Sequence, residues 1–150
     1  MNVVIASDHA GYTLKAHMVA YVQTLGYAVL DLGVDNAETP ADYPDVAQSV
    51  GRAIQDGRAE RGILICGSGV GACIAANKMR GIYAAICHDA YSAAQGVQHD
   101  NMNVLCLGGR IVGTALAEVL ASAFLSARFA QEERFLRRFH KLKAIEDSEE

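Results

Sequence analysis

The chain has no surplus of basic residues, no C-x-x-C pair and no apolar run long enough to span a bilayer, and each absence removes a class of function. Lys and Arg total 13 against 17 Asp and Glu, a formal charge of −4. Charge alone therefore gives no reason to expect general binding to nucleic acid or an anionic membrane, and any anion site must be a local cluster. The four cysteines, Cys66, Cys73, Cys87 and Cys106, each lie in or beside an apolar segment. That argues against a zinc site and a disulfide framework, and it suits a reducing, cytoplasmic setting. The opening MNVVIASDHAG lacks a basic start followed by a long apolar run, so a signal peptide is not expected. No internal repeat, linker or low-complexity segment interrupts the 150 residues, and a single domain over 1–150 is expected.

Short apolar runs alternate with longer helical patterns. The runs are Val3–Ala6, Ala28–Leu32, Ile63–Cys66, Ala84–Cys87 and Val104–Leu107. They are apolar on both faces, as in strands buried on both sides of a parallel sheet. Leu14, Met18, Val22 and Leu25 form one helical stripe stopped by Gly26; Val46, Val50 and Ile54 form another, opened by Pro44 and closed by Gly57. A short helix is expected over roughly 71–79, and a fourth from an Asp89 N-cap to about Gln98. Thr114 is a candidate cap for a fifth, carrying Leu116, Val119, Leu120, Ala123 and Phe124. A cation-rich sixth covers about 131–145. The pattern predicts an α/β fold: a three-layer α/β/α sandwich around a Rossmann-like five-stranded parallel sheet.

In such a fold ligands sit outside the carboxyl ends of the strands. The first strand ends in Ser7-Asp8-His9-Ala10-Gly11, the third in Cys66-Gly67-Ser68-Gly69-Val70-Gly71. Three glycines in five residues between a strand and a helix let backbone N–H groups turn inward around an anion. The spacing fits neither G-x-G-x-x-G, whose third glycine would come one residue later, nor the lysine-bearing P-loop. Cys66, at the strand end beside a helix start, is placed to favour the thiolate and act as a base. Cys73, Cys87 and Cys106 read as buried and inert.

These same residues closely resemble the ribose-5-phosphate isomerase B / galactose-6-phosphate isomerase family. The resemblance rests on Ser7–Gly11, Asp42-Tyr43-Pro44, Gly62–Gly71 leading into Ile74-Ala75-Ala76-Asn77-Lys78, Gln98-His99, Asn103-Val104-Leu105 and Gly109-Arg110. It covers roughly Val3 to Arg138. The resemblance implies that Cys66 moves the proton between C2 and C1 of a phosphorylated aldose and ketose, while His99 opens the sugar ring. It implies substrate contacts at Asp8 and His9, a pocket wall at Tyr43, and an enediolate-holding loop at Gly67, Ser68, Gly69, Val70 and Gly71. Ser68 would pass protons between oxygens, and Arg110, Arg134 and Arg138 would bind the phosphate. Isomerisation needs such a base, such oxyanion donors and such a phosphate anchor. Arg134 and Arg138, four apart, share a helix face and can grip one phosphate.

Two positions depart from the family pattern. Asp100-Asn101 reverses the usual Asn-Asp order, leaving Asp100 to contact hydroxyls or Asn101 to take over. Phe135 stands where a histidine is common. Ribose 5-phosphate is the first expectation for the substrate; allose 6-phosphate, galactose 6-phosphate and tetrulose phosphates stay open. A non-catalytic phosphate- or nucleotide-binding module is the rival from another class, and a dinucleotide-dependent enzyme a weaker third. No cofactor, metal, nucleic acid or membrane partner is expected. Cys66 and His99 fall at opposite edges of the predicted sheet, about 17 Å apart for a five-residue strand. A homodimer with composite sites, or a tetramer, is therefore expected, with the last helix packing on the partner.

Overall fold

Each apolar run forms a strand, and the segment after it forms a helix whose apolar side returns to the sheet. The strands are β1 (Asn2–Ser7), β2 (Ala28–Gly33), β3 (Arg61–Cys66), β4 (Ala84–Ile86) and β5 (Val104–Gly108). They alternate with α1 (Tyr12–Thr24), α2 (Tyr43–Gln55), α3 (Val70–Ala76), α4 (Ala90–Asp100) and α5 (Thr114–Ser126); α6 (Glu133–Ser148) follows. A 3-10 turn, His9–Gly11, separates β1 from α1. The computed structural model describes residues 1–148.

All strand pairs are parallel, in the order β2-β1-β3-β5-β4. Side chains alternate between two cores. Val3, Ile5, Ile63, Ile65, Leu105 and Leu107 face α1, α4 and α5, whereas Val4, Ala6, Leu64, Cys66, Val104 and Cys106 face α2 and α3. This is the three-layer Rossmann-like sandwich that the alternation of runs and stripes predicts.

Four local expectations need correction. β2 and β4 are edge strands, and neither buries both faces: β2 exposes Ala28, Asp31 and Gly33, and β4 is half-buried throughout. In α5, Leu116 and Val119 point to solvent, while Ala117, Leu120, Ala121 and Phe124 form the buried side. Thr114 is the first helical residue, not the cap; Gly113 takes that place. Leu25 also lies outside its predicted stripe, exposed beside the left-handed Gly26. Asp89 does cap α4, accepting the Ser92 N–H at 2.7 Å.

Side chains close what the backbone leaves open. The Asn77 amide spans the free edge of β4, donating to the Ala84 carbonyl and accepting its N–H, both at 2.8 Å. Asn103 fixes the same connection by accepting from Tyr83 N–H at 2.8 Å and donating to Gly81 O at 2.9 Å. Arg61 donates to the carbonyls of Phe124, Leu125 and Ala127 and so caps the end of α5. α6 is tied to its own chain through Glu146, which accepts from Gly81 N–H at 2.7 Å and the Tyr83 hydroxyl at 2.9 Å. Burial and that carboxylate push the Tyr83 phenol up to about 12.

Candidate active site

β1 leads outward to β2, while β3 leads the other way to β5 and β4. α1 leaves over one face and α3 over the other, so the exits of β1 and β3 part and open a crevice at the sheet's carboxyl edge. The Asp8-His9 turn and the Cys66 loop form its two lips.

On the first lip, buried Asp8 accepts the Gly11 N–H at 3.1 Å and closes the turn. Gly11 is needed there because a Cβ would lie 2.6 Å from the Ile65 carbonyl oxygen. His9 accepts the Ala41 N–H through Nδ1 at 3.2 Å, so its neutral ring carries the proton on Nε2.

On the second lip, Cys66 is the last residue of β3, nearly buried, with its sulfur accepting the Gly69 N–H at 3.1 Å. Gly69 has φ +85°, a left-handed conformation that suits glycine. Gly108 stands opposite Cys66, and a side chain there would meet the Ser68 carbonyl at 2.8 Å. Two bonds tie the β5 exit to the loop: Gly109 N–H to Cys66 O at 2.8 Å and Arg110 N–H to Gly67 O at 3.0 Å. The Arg110 guanidinium lies beside Gly67, its Nη1 3.5 Å from where a Cβ would stand. The Tyr43 ring lies against Gly71 so closely that a Cβ would come within 2.6 Å of it.

Loop amides are not all turned to a ligand. The Gly69 N–H serves the Cys66 sulfur, and the Val70 N–H serves Ser68 Oγ at 3.2 Å. The Val70 side chain is half-exposed at the rim.

The structure thus gathers Asp8, His9, Tyr43, Cys66 to Gly71 and Arg110. It does not bring His99, Asp100, Arg134 or Arg138 to them within one chain. His99 lies in the last turn of α4, just before β5, at the amino edge of the sheet. Its ring stacks on buried Phe135, centroids 4.2 Å apart. The guanidiniums of Arg134 and Arg138 lie 4.6 and 6.0 Å from the same Phe135 ring. Asn101 has φ 56° and ψ 37°, with its backbone N–H bonded to Val97 O, so it ends α4. Asp100 is the exposed neighbour of His99.

A family profile described as Ribose/Galactose Isomerase matches residues 3–142. The chain belongs to that family of isomerases. It is 41% identical over 145 residues to ribose-5-phosphate isomerase B of Escherichia coli, covering 97% of this chain and 96% of that protein. It is 43% identical over 129 residues to D-erythrulose-4-phosphate isomerase of Pectobacterium atrosepticum, covering 86% and 85%. Among solved structures, ribose-5-phosphate isomerase B of Clostridium thermocellum superposes with a TM-score of 0.95 at 41% identity, covering both chains fully. The Mycoplasma genitalium enzyme, solved with bound ribulose 5-phosphate, gives 0.90 at 41%, covering 97% and 96%.

Two supporting residues were missed in the sequence. Lys15 is buried and donates to the carbonyls of Leu32 (2.9 Å) and Val34 (2.5 Å) while pairing with Asp31 at 2.8 Å. It anchors the end of β2, from which the chain runs on to Ala41 and Tyr43. Its signal was its place at 15, 18, 22 beside the α1 stripe, where a solvated lysine does not belong. Phe135 read as a departure from a pattern; it is the plate on which His99 and the arginines rest.

Proposed function

We propose that the chain interconverts the aldose and ketose forms of a phosphorylated sugar, ribose 5-phosphate and ribulose 5-phosphate, through a 1,2-enediolate. One observation carries the reading. Cys66 sits at the switch point of a parallel sheet, its sulfur oriented by the Gly69 N–H, between the His9 turn and Arg110. In the proposed step the Cys66 thiolate takes the C2 proton, and electrons shift to the carbonyl oxygen at C1. The protonated thiol then returns the proton at C1. Loop donors and Ser68 stabilise the oxyanion and move protons between oxygens. Asp8 and His9 contact the hydroxyls and the phosphate end, and Arg110 adds positive charge.

His99 protonates the ring oxygen, and Arg134 and Arg138 hold the phosphate, from a second subunit of a homodimer. The single-chain arrangement supports this, because Phe135 assembles those three groups at the edge away from Cys66. The outward side of α6 then faces the partner, and a tetramer would stack such dimers. Membership of a family of isomerases sets aside the non-catalytic module and the dinucleotide enzyme. Among the described residues no helix is long and apolar enough to cross a membrane. We place the enzyme in the cytoplasm, where four free thiols are stable.

A tetrulose phosphate is the second reading, favoured by the 43% identity to D-erythrulose-4-phosphate isomerase. Asp100, exposed in the last turn of α4 beside His99, would contact the hydroxyls. A tetrose 4-phosphate has its O4 esterified, so it closes no furanose ring and gives His99 no ring to open.

The test is a panel of ribose, allose, galactose and tetrulose phosphates scored by kcat/KM in deuterated water. Solvent deuterium at the carbon next to the carbonyl is expected in the preferred substrate. Binding without exchange on every sugar would remove the isomerase assignment.

A further inference from the structure

Lys15 is a cation on the buried side of α1. It stands there with Leu14, Met18 and Val22, and only 3% of it is exposed. An ammonium taken out of water is costly unless each of its protons is received. Three acceptors meet the three protons: the Leu32 carbonyl at 2.9 Å, the Val34 carbonyl at 2.5 Å and the Asp31 carboxylate at 2.8 Å. The Tyr12 ring adds its face, 5.4 Å away. An apolar side chain would join α1 to the sheet without that cost, and buried ion pairs are often replaceable by apolar groups with no loss of stability. Packing alone therefore does not explain the charge; what it holds does.

It holds the point where the chain leaves β2. Leu32 and Val34 flank Gly33, whose φ of +81° turns the backbone out of the sheet. The Val34 N–H donates to the Ser7 carbonyl at 3.1 Å, so Val34 is gripped by β1 through its N–H and by Lys15 through its carbonyl. Beyond it the chain has little apolar anchorage, for Asp35 and residues 37–40 are exposed. Polar contacts set its course. Asn36 Oδ1 accepts the N–H groups of Glu38 at 3.0 Å and Thr39 at 2.7 Å and turns the chain. The Ala41 N–H then donates to His9 Nδ1 at 3.2 Å, and two residues on the Tyr43 ring lies against Gly71. Residues 34–41 thus form a strap pinned at one end by Lys15 and at the other by the ring of His9.

We infer that Lys15 is a positioning residue for the sugar-phosphate site: by fixing the strap, it keeps the Ala41 N–H on His9 Nδ1. A neutral imidazole has one N–H, and the bond made at one nitrogen decides which of the two carries it. With Nδ1 held as the acceptor, the proton stays on Nε2 and is left as the donor for a substrate oxygen. Once the strap is loose, the ring exchanges tautomers and turns, and that donor is present only part of the time. The inference rests on the substrate contact proposed for His9.

The test uses the full chain with Lys15→Met, which keeps a long, helix-forming side chain and removes the charge. Long-range proton–nitrogen spectra of the imidazoles are recorded at about pH 8.5, where histidine is neutral. The His9 signal is identified by its loss in His9→Gln. The parent should show one His9 tautomer, protonated at Nε2; in Lys15→Met the two nitrogens should move toward a common, averaged shift. KM for the sugar phosphate should rise about tenfold, the scale of one hydrogen bond to a charged group. The change in kcat should stay below about threefold, because the Cys66–Gly69 contact is untouched. In a His9→Gln background the same substitution should add nothing further to KM, since Lys15 acts through that ring. Asp31→Asn, at a half-exposed position, loosens the ammonium and should shift the tautomer in the same direction, so the test survives if Lys15→Met does not fold. A parental His9 tautomer in folded Lys15→Met, or in Asp31→Asn where Lys15→Met does not fold, would overturn the inference, as would an equal rise in KM with and without His9. The spectra need no sugar, so absence of turnover on every substrate would remove the isomerase reading and leave the tautomer result standing.

Discussion

The Cys66 sulfur is constrained twice: the end of β3 fixes its Cβ, and the Gly69 N–H at 3.1 Å fixes its direction. In the proposed role of base, a sulfur so held meets a sugar carbon with little reorganisation. Cys66→Ala removes one buried atom and should cost about 1 kcal/mol of stability. Turnover should fall by about 10²–10⁴-fold. Steady-state kinetics beside urea melts separates the two, and near-parental turnover would place the base elsewhere. Phe135 is a positioning residue of another kind. Its flat ring carries His99 on a 4.2 Å stack and the Arg134 guanidinium at 4.6 Å. Phe135→Leu keeps the site apolar but removes the plate, so kcat on a ring-closed substrate should drop about tenfold, the scale of a lost stacking contact. KM should rise as the arginines spread, and Phe135→Tyr should restore both. A Phe135→Leu enzyme with parental kinetics, when His99→Asn is impaired, would show that the stack orders nothing the reaction uses.

At the scale of elements, side-chain caps do work that strand and helix propensities do not show. Arg61, at the start of β3, spends its guanidinium on three carbonyls at the end of α5. Arg61→Met should fill the same space yet leave those acceptors unpaired, a loss of about 2–3 kcal/mol for hydrogen bonds to a charged donor. A urea midpoint unchanged from the parent would mean that water replaces them freely. These contacts also mark where the sequence stops being legible. α2 could be read because one apolar stripe stands opposite polar residues, and α1 because Leu14, Met18 and Val22 recur at helical steps ahead of a left-handed glycine. The buried side of α5 could not, because TALAEVLASAFLS is apolar nearly all round and periodicity fails to choose between Leu116 and Ala117. β2 reads as a central strand by composition, and only its place at the sheet edge exposes Asp31. The glycine loop and Cys66 were legible because chemistry and topology fall on consecutive residues. The anchor at Lys15 and the plate at Phe135 join residues far apart in the chain, which a local pattern does not record.

The whole molecule poses the sharpest question, since the residues proposed for its chemistry lie at two edges of one sheet. Cys66 closes β3 at the carboxyl edge, and His99 lies in the last turn of α4, ahead of the first residue of β5. A strand of that length separates its ends by about 17 Å, whereas a proton donor must come within about 3 Å of its target or act through one water. No side-chain rotation closes that gap, and the sheet is fixed by buried pairs on both faces. If both residues serve one sugar, they come from different subunits, and two-fold symmetry then gives each dimer two equivalent sites. Cys66→Ala and His99→Asn subunits, each nearly inactive alone, should therefore complement when mixed and allowed to exchange. Random pairing makes half the dimers mixed, and each mixed dimer has one site carrying both native residues, so activity should recover to about a quarter of the parental value. Exchange is checked by native mass spectrometry of subunits of different mass. Full exchange without recovered activity would confine both residues to one chain's site, and His99 would then lose its role as the group that opens the ring.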